Sequence, residues 1–405
     1  MTTIKPTSAS NRIDSLDILR GFALLGILIM NMISFSMVGA NYLNPMAEGQ
    51  LQGADEWAFI FSQLFANQKF MSLFSILFGA GIILMTDRMV AKGSSPAKRH
   101  YSRNFWLLLF GLAHAYLIWM GDILVPYAIC SLWVYLFRKK SAKTLFILAA
   151  VFYFIVLVLG LMTGFSMPYW GEAEIAELCT GWVPSGEAIA TETAAYKGSW
   201  LDQMPVRASG AFYLETFVFV FSMGWQITGL MLIGMGLYKT KVITAERSSS
   251  FYKKMMLSGF GLGLTLGIIG LFQNYKNDWS CEYSFFIGSQ FNFLGSLPMA
   301  LGYIGLIMWL SKSKVAELLK EWLAPVGRTA LSNYLMQSII VTLIFYGHGL
   351  GLFGTVGRAE QWLFILGIWL AQVIVSRWWM KHYRFGPFEW VWRSLTYGKM
   401  QAMKK

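Results

Sequence analysis

Apolar runs of about twenty residues recur along the chain, set apart by short polar connections marked by glycine and proline. This pattern predicts helices that cross a membrane, over 18–38, 70–86, 104–120, 121–137, 143–164, 211–237, 255–273, 290–310, 330–347 and 361–380. The fold class is therefore all-α, a polytopic transmembrane bundle of about ten spans. Residues 1–405 are read as a single transmembrane domain, with 165–210 as an extracytoplasmic loop or cap between spans five and six. The stretch Asn104 to Phe137 lies between Arg103 and Arg138 and has to cross twice. Two helices of about 17 residues reach only ~25 Å each, so the turn at Met120–Gly121–Asp122 is expected below the surface. In the first outer connection, NYLNP reads as a turn, and Trp57 to Phe65 reads as an interfacial helix. Residues 1–17 are polar, and the long apolar run after them has no small-residue exit, so it is expected to stay as the first span.

Charge then orients the bundle. The chain is 56% hydrophobic and 13% charged, which excludes an ordinary soluble domain. Its 33 Lys and Arg against 21 Asp and Glu leave a net charge of +12. All but Lys69, Lys197, Arg207, Lys276 and Arg358 fall at the N-terminus, in alternate connections, or after residue 376. That alternation predicts both termini in the cytoplasm. It makes membrane lipid, not nucleic acid, the partner of the positive charge. Cys130 lies inside a span, whereas Cys179 and Cys281 share the outer face, where a disulfide between them is expected.

Polar residues inside apolar helices are the candidate chemistry. Arg20 and Asn31 are eleven residues apart in LDILRGFALLGILIMN and share one helix face. At 1.5 Å per residue they are roughly 16 Å apart, which puts Asn31 near the middle of the membrane. Two readings stand: a helix–helix hydrogen bond with a snorkelling arginine, or a polar path through the bundle. His114 and Asp122 share the short hairpin; a neutral imidazole there can take a proton from a hydroxyl or amine, and a carboxylate can orient it. The alternative is a core histidine with other partners. In PVGRTALSNYLMQS, Pro325 and Gly327 are expected to break the helix ahead of Arg328, with Asn333 and Gln337 one turn apart behind it. A helix start beside an arginine suits a phosphate, and equally suits positive-inside anchoring with amide bonds between helices. Lys69 is read as snorkelling outward, His100 and His348 as surface histidines, and Glu215 as an interfacial acid or a neighbour of Asp122. Glu389 is read as tying the tail GPFEWVWRSLTYG to an inner arginine. No metal-ligand spacing occurs.

The run DILRGFALLGILIMN resembles the opening helix of the integral-membrane acyltransferase superfamily, and its Asn31 is nearer the heparan-glucosaminide N-acetyltransferase branch. The chain more specifically resembles the YeiB-like bacterial membrane family, through NYLNP, LFGAG, GDIL, GRTALSNYLMQS and GPFEWVWRSLTYG. The resemblance implies a multi-pass protein of the bacterial cytoplasmic (inner) membrane. It also implies an acyl-coenzyme A donor, above all acetyl-coenzyme A, reached from the cytoplasm, and an acceptor at the outer face. Arg20, Arg328, Asn333 and Gln337 would then serve the donor, and Asn31, His114 and Asp122 the transfer. One departure matters. The bacterial O-acyltransferases carry His where this chain has Asn31, and the heparan-glucosaminide branch carries one in the first outer connection. Residues 39–69 contain no His here. His114 is the expected substitute; the alternative is that the chemistry is absent and only the scaffold remains. A transporter or lipid-linked flippase on the same scaffold is the alternative, and a non-catalytic partner of another membrane protein is the third reading. The acyl group, the acceptor and homo-oligomer formation stay open.

Overall fold

The computed structural model describes residues 13–91 and 93–405, so the polar N-terminus with Lys5 and Arg12, and Lys92, lie outside the described residues. The chain is helical nearly throughout. The apolar run becomes α1 (Asp14–Ser36), with Asp14 and Asp17 in its first turn, where a carboxylate complements the helix dipole. Next come α2 (Gly53–Phe65) and α3 (Lys69–Val90), joined by a bend at which Gln68 takes the left-handed φ of 63°. Proline opens α4 (Pro96–Leu117), at a position where its missing N–H costs nothing. Helix α5 (Leu124–Val134) continues as a tighter turn over Tyr135–Lys139. The Ser141 hydroxyl caps α6 (Ala142–Ser166) by accepting the Thr144 N–H. Two small helices follow, α7 (Glu172–Cys179) and α8 (Gly186–Lys197). Helix α9 (Met204–Lys239) carries a π-helical middle over Leu214–Met223. The rest are α10 (Ser249–Lys276), α11 (Cys281–Leu310), α12 (Ala316–Arg328), α13 (Ala330–Phe345), α14 (Gln361–His382) and α15 (Pro387–Tyr397).

Seven stretches among the described residues are long and apolar enough to cross a membrane: α1, α2 with α3, α6, α9, α10, α11 and α14. Helix α13 is apolar but shorter. The remaining two expected segments form the α4–α5 hairpin. Its second arm has 11 α-helical residues, about 16 Å, and the tighter turn over Tyr135–Lys139 adds roughly 10 Å, which still falls short of a ~30 Å hydrocarbon core.

The connections sort into two ends of the bundle. At one, Cys179 and Cys281 form a disulfide. There Asn44 donates to the Trp182 carbonyl, Trp182 to the Trp279 carbonyl, Gly347 to Tyr196, Gly354 to Ser36, and Arg358 to Asn41. At the other end the C-terminal tail docks. Arg99 and Ser102 donate to the Thr396 carbonyl, Trp392 to the Arg103 carbonyl, Lys239 to the Lys140 carbonyl, and Lys320 pairs with Asp14.

Close helix contact is set by glycine. The LFGAG segment of α3 meets the GMGL segment of α9: a Cβ on Gly79 would strike the Met231 backbone, and one on Gly234 the Ile76 backbone. The same device corrects the expectation for 325–328. Helix α12 runs through Pro325 and Gly327 to Arg328 and ends at Thr329. Gly327 fits there because it lies against the Asp17 carbonyl and the Gly21 amide of α1. Two further expectations are corrected. Lys69 does not snorkel: it is 1% exposed and its ammonium is held by the Gln63 carbonyl and the Asn292 amide. His100 is no surface histidine: it bonds the Ser131 carbonyl at 3.0 Å and stacks on Tyr135. In both cases a neighbouring helix supplies the acceptor that lipid or water would otherwise supply.

Candidate functional site

The turn between α4 and α5 dips into the bundle, and what covers it is the 165–210 connection. Trp200 donates to the Leu117 carbonyl and Arg207 to the Tyr116 carbonyl. Arg207 is itself buried, with its guanidinium over the Trp200 ring. Glu215, in the π-helical stretch, accepts from the Tyr116 hydroxyl at 3.1 Å. His348 bonds Gln203 within the same cap. Gly111 lets the turn press against α4, since a Cβ there would meet the Val125 amide and the Asp122 carboxylate. The turn is also pinned from α13, whose Tyr334 hydroxyl accepts the Ile123 N–H.

This packing brings three side chains into a chain of hydrogen bonds. His114 Nδ1 lies 2.7 Å from Asp122 Oδ1, and His114 Nε2 lies 2.8 Å from Ser338 Oγ. Asp122 Oδ2 accepts the Val125 N–H at 2.7 Å. With Asp122 as a carboxylate and the imidazole neutral, the ring proton sits on Nδ1 and Nε2 accepts from the serine hydroxyl. The histidine and the serine are 1% exposed and Asp122 7%. The Trp119 ring stands between this relay and α1, with centroids 6.1 Å from His114 and 4.1 Å from Phe35. Its indole N–H is buried without a hydrogen-bond partner. Such an arrangement can draw a proton from a hydroxyl at Nε2 and hold the charge through Asp122.

Arg20 and Asn31 are on one side of α1, as their spacing predicts. Arg20, Phe22, Leu25, Ile27, Asn31 and Ser34 are partly exposed, whereas Leu24, Leu28 and Met32 are buried. Phe35, one turn beyond Asn31, stacks on Trp119, so this side of α1 looks toward the hairpin. Arg20 pairs with Asp17 at 3.0 Å and lies beside Gly81 of α3. Arg103 is close enough to feel the repulsion of both Arg20 and Arg393, and its guanidinium lies 4.1 Å over the Trp392 ring. Three arginines thus gather at the tail end.

Arg328 closes α12 directly after Gly327, which meets α1 at Asp17 and Gly21. Asn333 and Gln337 are used between helices: Asn333 donates to Thr329 and Ser376, and Gln337 to Gln372, which in turn donates to the Asn333 carbonyl. The start of α13 already holds an anion. Glu389 accepts the Leu331 and Ser332 N–H groups and bonds the Ser332 hydroxyl. The tail is therefore tied to a helix N-terminus, because the unpaired amides of that first turn attract a carboxylate.

Sequence reasoning did not find Ser338, Trp119, Arg103 or Arg393. Ser338 ends the GRTALSNYLMQS block, but a serine in an apolar helix carries no signal of which neighbour it faces. Arg103 and Arg393 read only as positive-inside charge.

Comparison with known proteins covers both halves of the site. The family described as Protein of unknown function (DUF418) matches residues 237–399, which hold Ser338, Glu389 and Arg393. The "Uncharacterized protein YeiB" of Escherichia coli (strain K12) is 31% identical over 390 residues, 94% of this chain and 95% of that protein. The "Uncharacterized protein YxaH" of Bacillus subtilis (strain 168) is 30% identical over 419 residues, 100% of this chain and 99% of that protein.

Proposed function

For a chain that belongs to the YeiB-like family of bacterial proteins, we propose acyl transfer across the cytoplasmic membrane, from a cytosolic acyl-coenzyme A to a hydroxyl or amine acceptor at the outer face. The observation that carries this reading is the buried Asp122–His114 pair with Nε2 turned to a hydroxyl, the geometry of an oriented general base. Arg20 faces the donor's phosphates, with Arg103 and Arg393 beside it. Asn31, partly exposed on the same side of α1, hydrogen-bonds the acyl donor or the acceptor as it passes the hairpin. Asn333 and Gln337 act on this reading through the α13–α14 contact and not by touching the donor.

Sidedness belongs to the same proposal. The basic connections gather at the tail end, and a disulfide suits an oxidising compartment, so the tail end is cytoplasmic and the disulfide end periplasmic or extracellular. All ten expected segments then cross the membrane, the hairpin reaching its turn inside. Cysteines introduced as Ser94→Cys and Thr191→Cys test this with an impermeant maleimide on whole cells. Thr191→Cys is expected to label and Ser94→Cys to stay protected until the membrane is opened; the reverse pattern inverts the orientation.

Donor binding is measured by calorimetry with coenzyme A on the full chain in detergent. Arg20→Ala removes a charge-assisted contact worth roughly 1.5–3 kcal/mol, a loss of about 10- to 100-fold in affinity. Arg328→Ala is expected to weaken binding in the same direction. Binding that survives loss of both arginines moves the donor site elsewhere. No heat from folded wild-type protein at millimolar coenzyme A removes the acyl-transfer reading and leaves transport.

A further inference from the structure

We propose that Ser338 is a nucleophile and that the acyl group rests on its Oγ as an ester between donor and acceptor. The inference deepens the acyl-transfer reading and rests on it for the identity of the donor.

The first argument is where the hydroxyl goes. Within an apolar helix a serine or threonine ordinarily gives its proton back to a carbonyl one turn earlier. Ser36 does so to Met32, Ser75 to Met71 and Thr86 to Ile82. Ser338 instead directs its Oγ 2.8 Å across to His114 Nε2. The second is that the base is itself oriented: Nδ1 is fixed by Asp122, and Asp122 by the Val125 amide. Nucleophile, base and orienting carboxylate come from α13, α4 and the turn after it, which is triad geometry reached without a triad motif. The third is Trp119, whose ring centroid lies 6.1 Å from that of the imidazole and whose buried indole N–H has no hydrogen-bond partner. A buried donor left without an acceptor is what an oxyanion would find on forming there. Position agrees as well. Ser338 is eight residues into α13, about 12 Å from the end where the arginines gather.

The chemistry balances without a further reactant. Ser338 Oγ loses its proton to His114 Nε2 and attacks the thioester carbonyl carbon; the C–S bond breaks, and the Nε2 proton passes to the departing thiolate. In the second half the acceptor hydroxyl or amine gives a proton to Nε2 and attacks the ester carbon. The C–Oγ bond then breaks, and Ser338 recovers its proton.

The test needs no knowledge of the acceptor. Purified full-length protein is incubated with acetyl-coenzyme A, and separately with an alkyl fluorophosphonate, then digested and mapped by mass spectrometry. Acetyl and phosphonyl adducts are expected on the Ser338 peptide, forming ~10²–10⁴-fold more slowly in His114→Ala. Ser338→Cys, which keeps a nucleophile in place if Ser338→Ala does not fold, is expected to carry the acetyl as a hydroxylamine-sensitive thioester. Phosphonylation at Ser338 without acetylation supports the nucleophile and removes the coenzyme A donor. Coenzyme A binding with neither adduct, in wild-type protein that melts cooperatively, overturns the nucleophile and leaves direct transfer by His114. A Ser–His–Asp contact that only joins helices gives that second result.

Discussion

His114→Ala leaves coenzyme A affinity near the wild-type value and slows acyl transfer by ~10²–10⁴-fold, the usual cost of a lost general base. Binding is spared because the arginine cluster is half a helix away: Arg103 and His114 are both on α4, eleven residues or about 16 Å apart. Asp122→Asn gives a milder defect of the same kind. An asparagine amide offers its NH2 as readily as its carbonyl, so the tautomer that exposes a basic Nε2 is held less firmly. Both changes also leave a buried partner short of a hydrogen bond, at a cost of ~1–3 kcal/mol, so melting temperature is measured beside the rate. Thermal midpoints that fall while the rate per folded molecule stays unchanged would reduce the relay to a structural contact. A rate lost in His114→Ala together with coenzyme A affinity would place the histidine in the donor site.

Reducing the Cys179–Cys281 bond produces the largest expected loss of stability. The bond closes a separation of 102 residues, for which the chain-entropy account gives ~4.7 kcal/mol. It lies among Phe59, Trp182, Leu271 and Trp279, a small apolar cluster that fastens the cap to α2 and to the α10–α11 connection. Cys130, the free cysteine, is buried inside the bundle, so an effect of reductant is assigned to the one bond. Thermal melting in detergent with and without reductant, and of Cys179→Ser, is expected to show the same downward shift. Equal midpoints would mean that the Trp182 and Asn44 hydrogen bonds already close this loop.

Apolar run length determines the helical class, because lipid forces each span to satisfy its backbone within itself. Periodicity also determines that Arg20 and Asn31 share a side of α1. The partners of each buried polar group are another matter. Lys69 finds Asn292, more than two hundred residues away, and Glu389 finds the first turn of α13. His114 finds Asp122 within its own hairpin, but Ser338 reaches it from the far side of the chain. Pro325 and Gly327 stand inside α12 because α1 presses on that turn. A helix fixes which of its own residues share a face, through a repeat written in the sequence. Which face of another helix meets it depends on how all the helices pack together, and a hydrogen bond reaching 2.8 Å is decided only there.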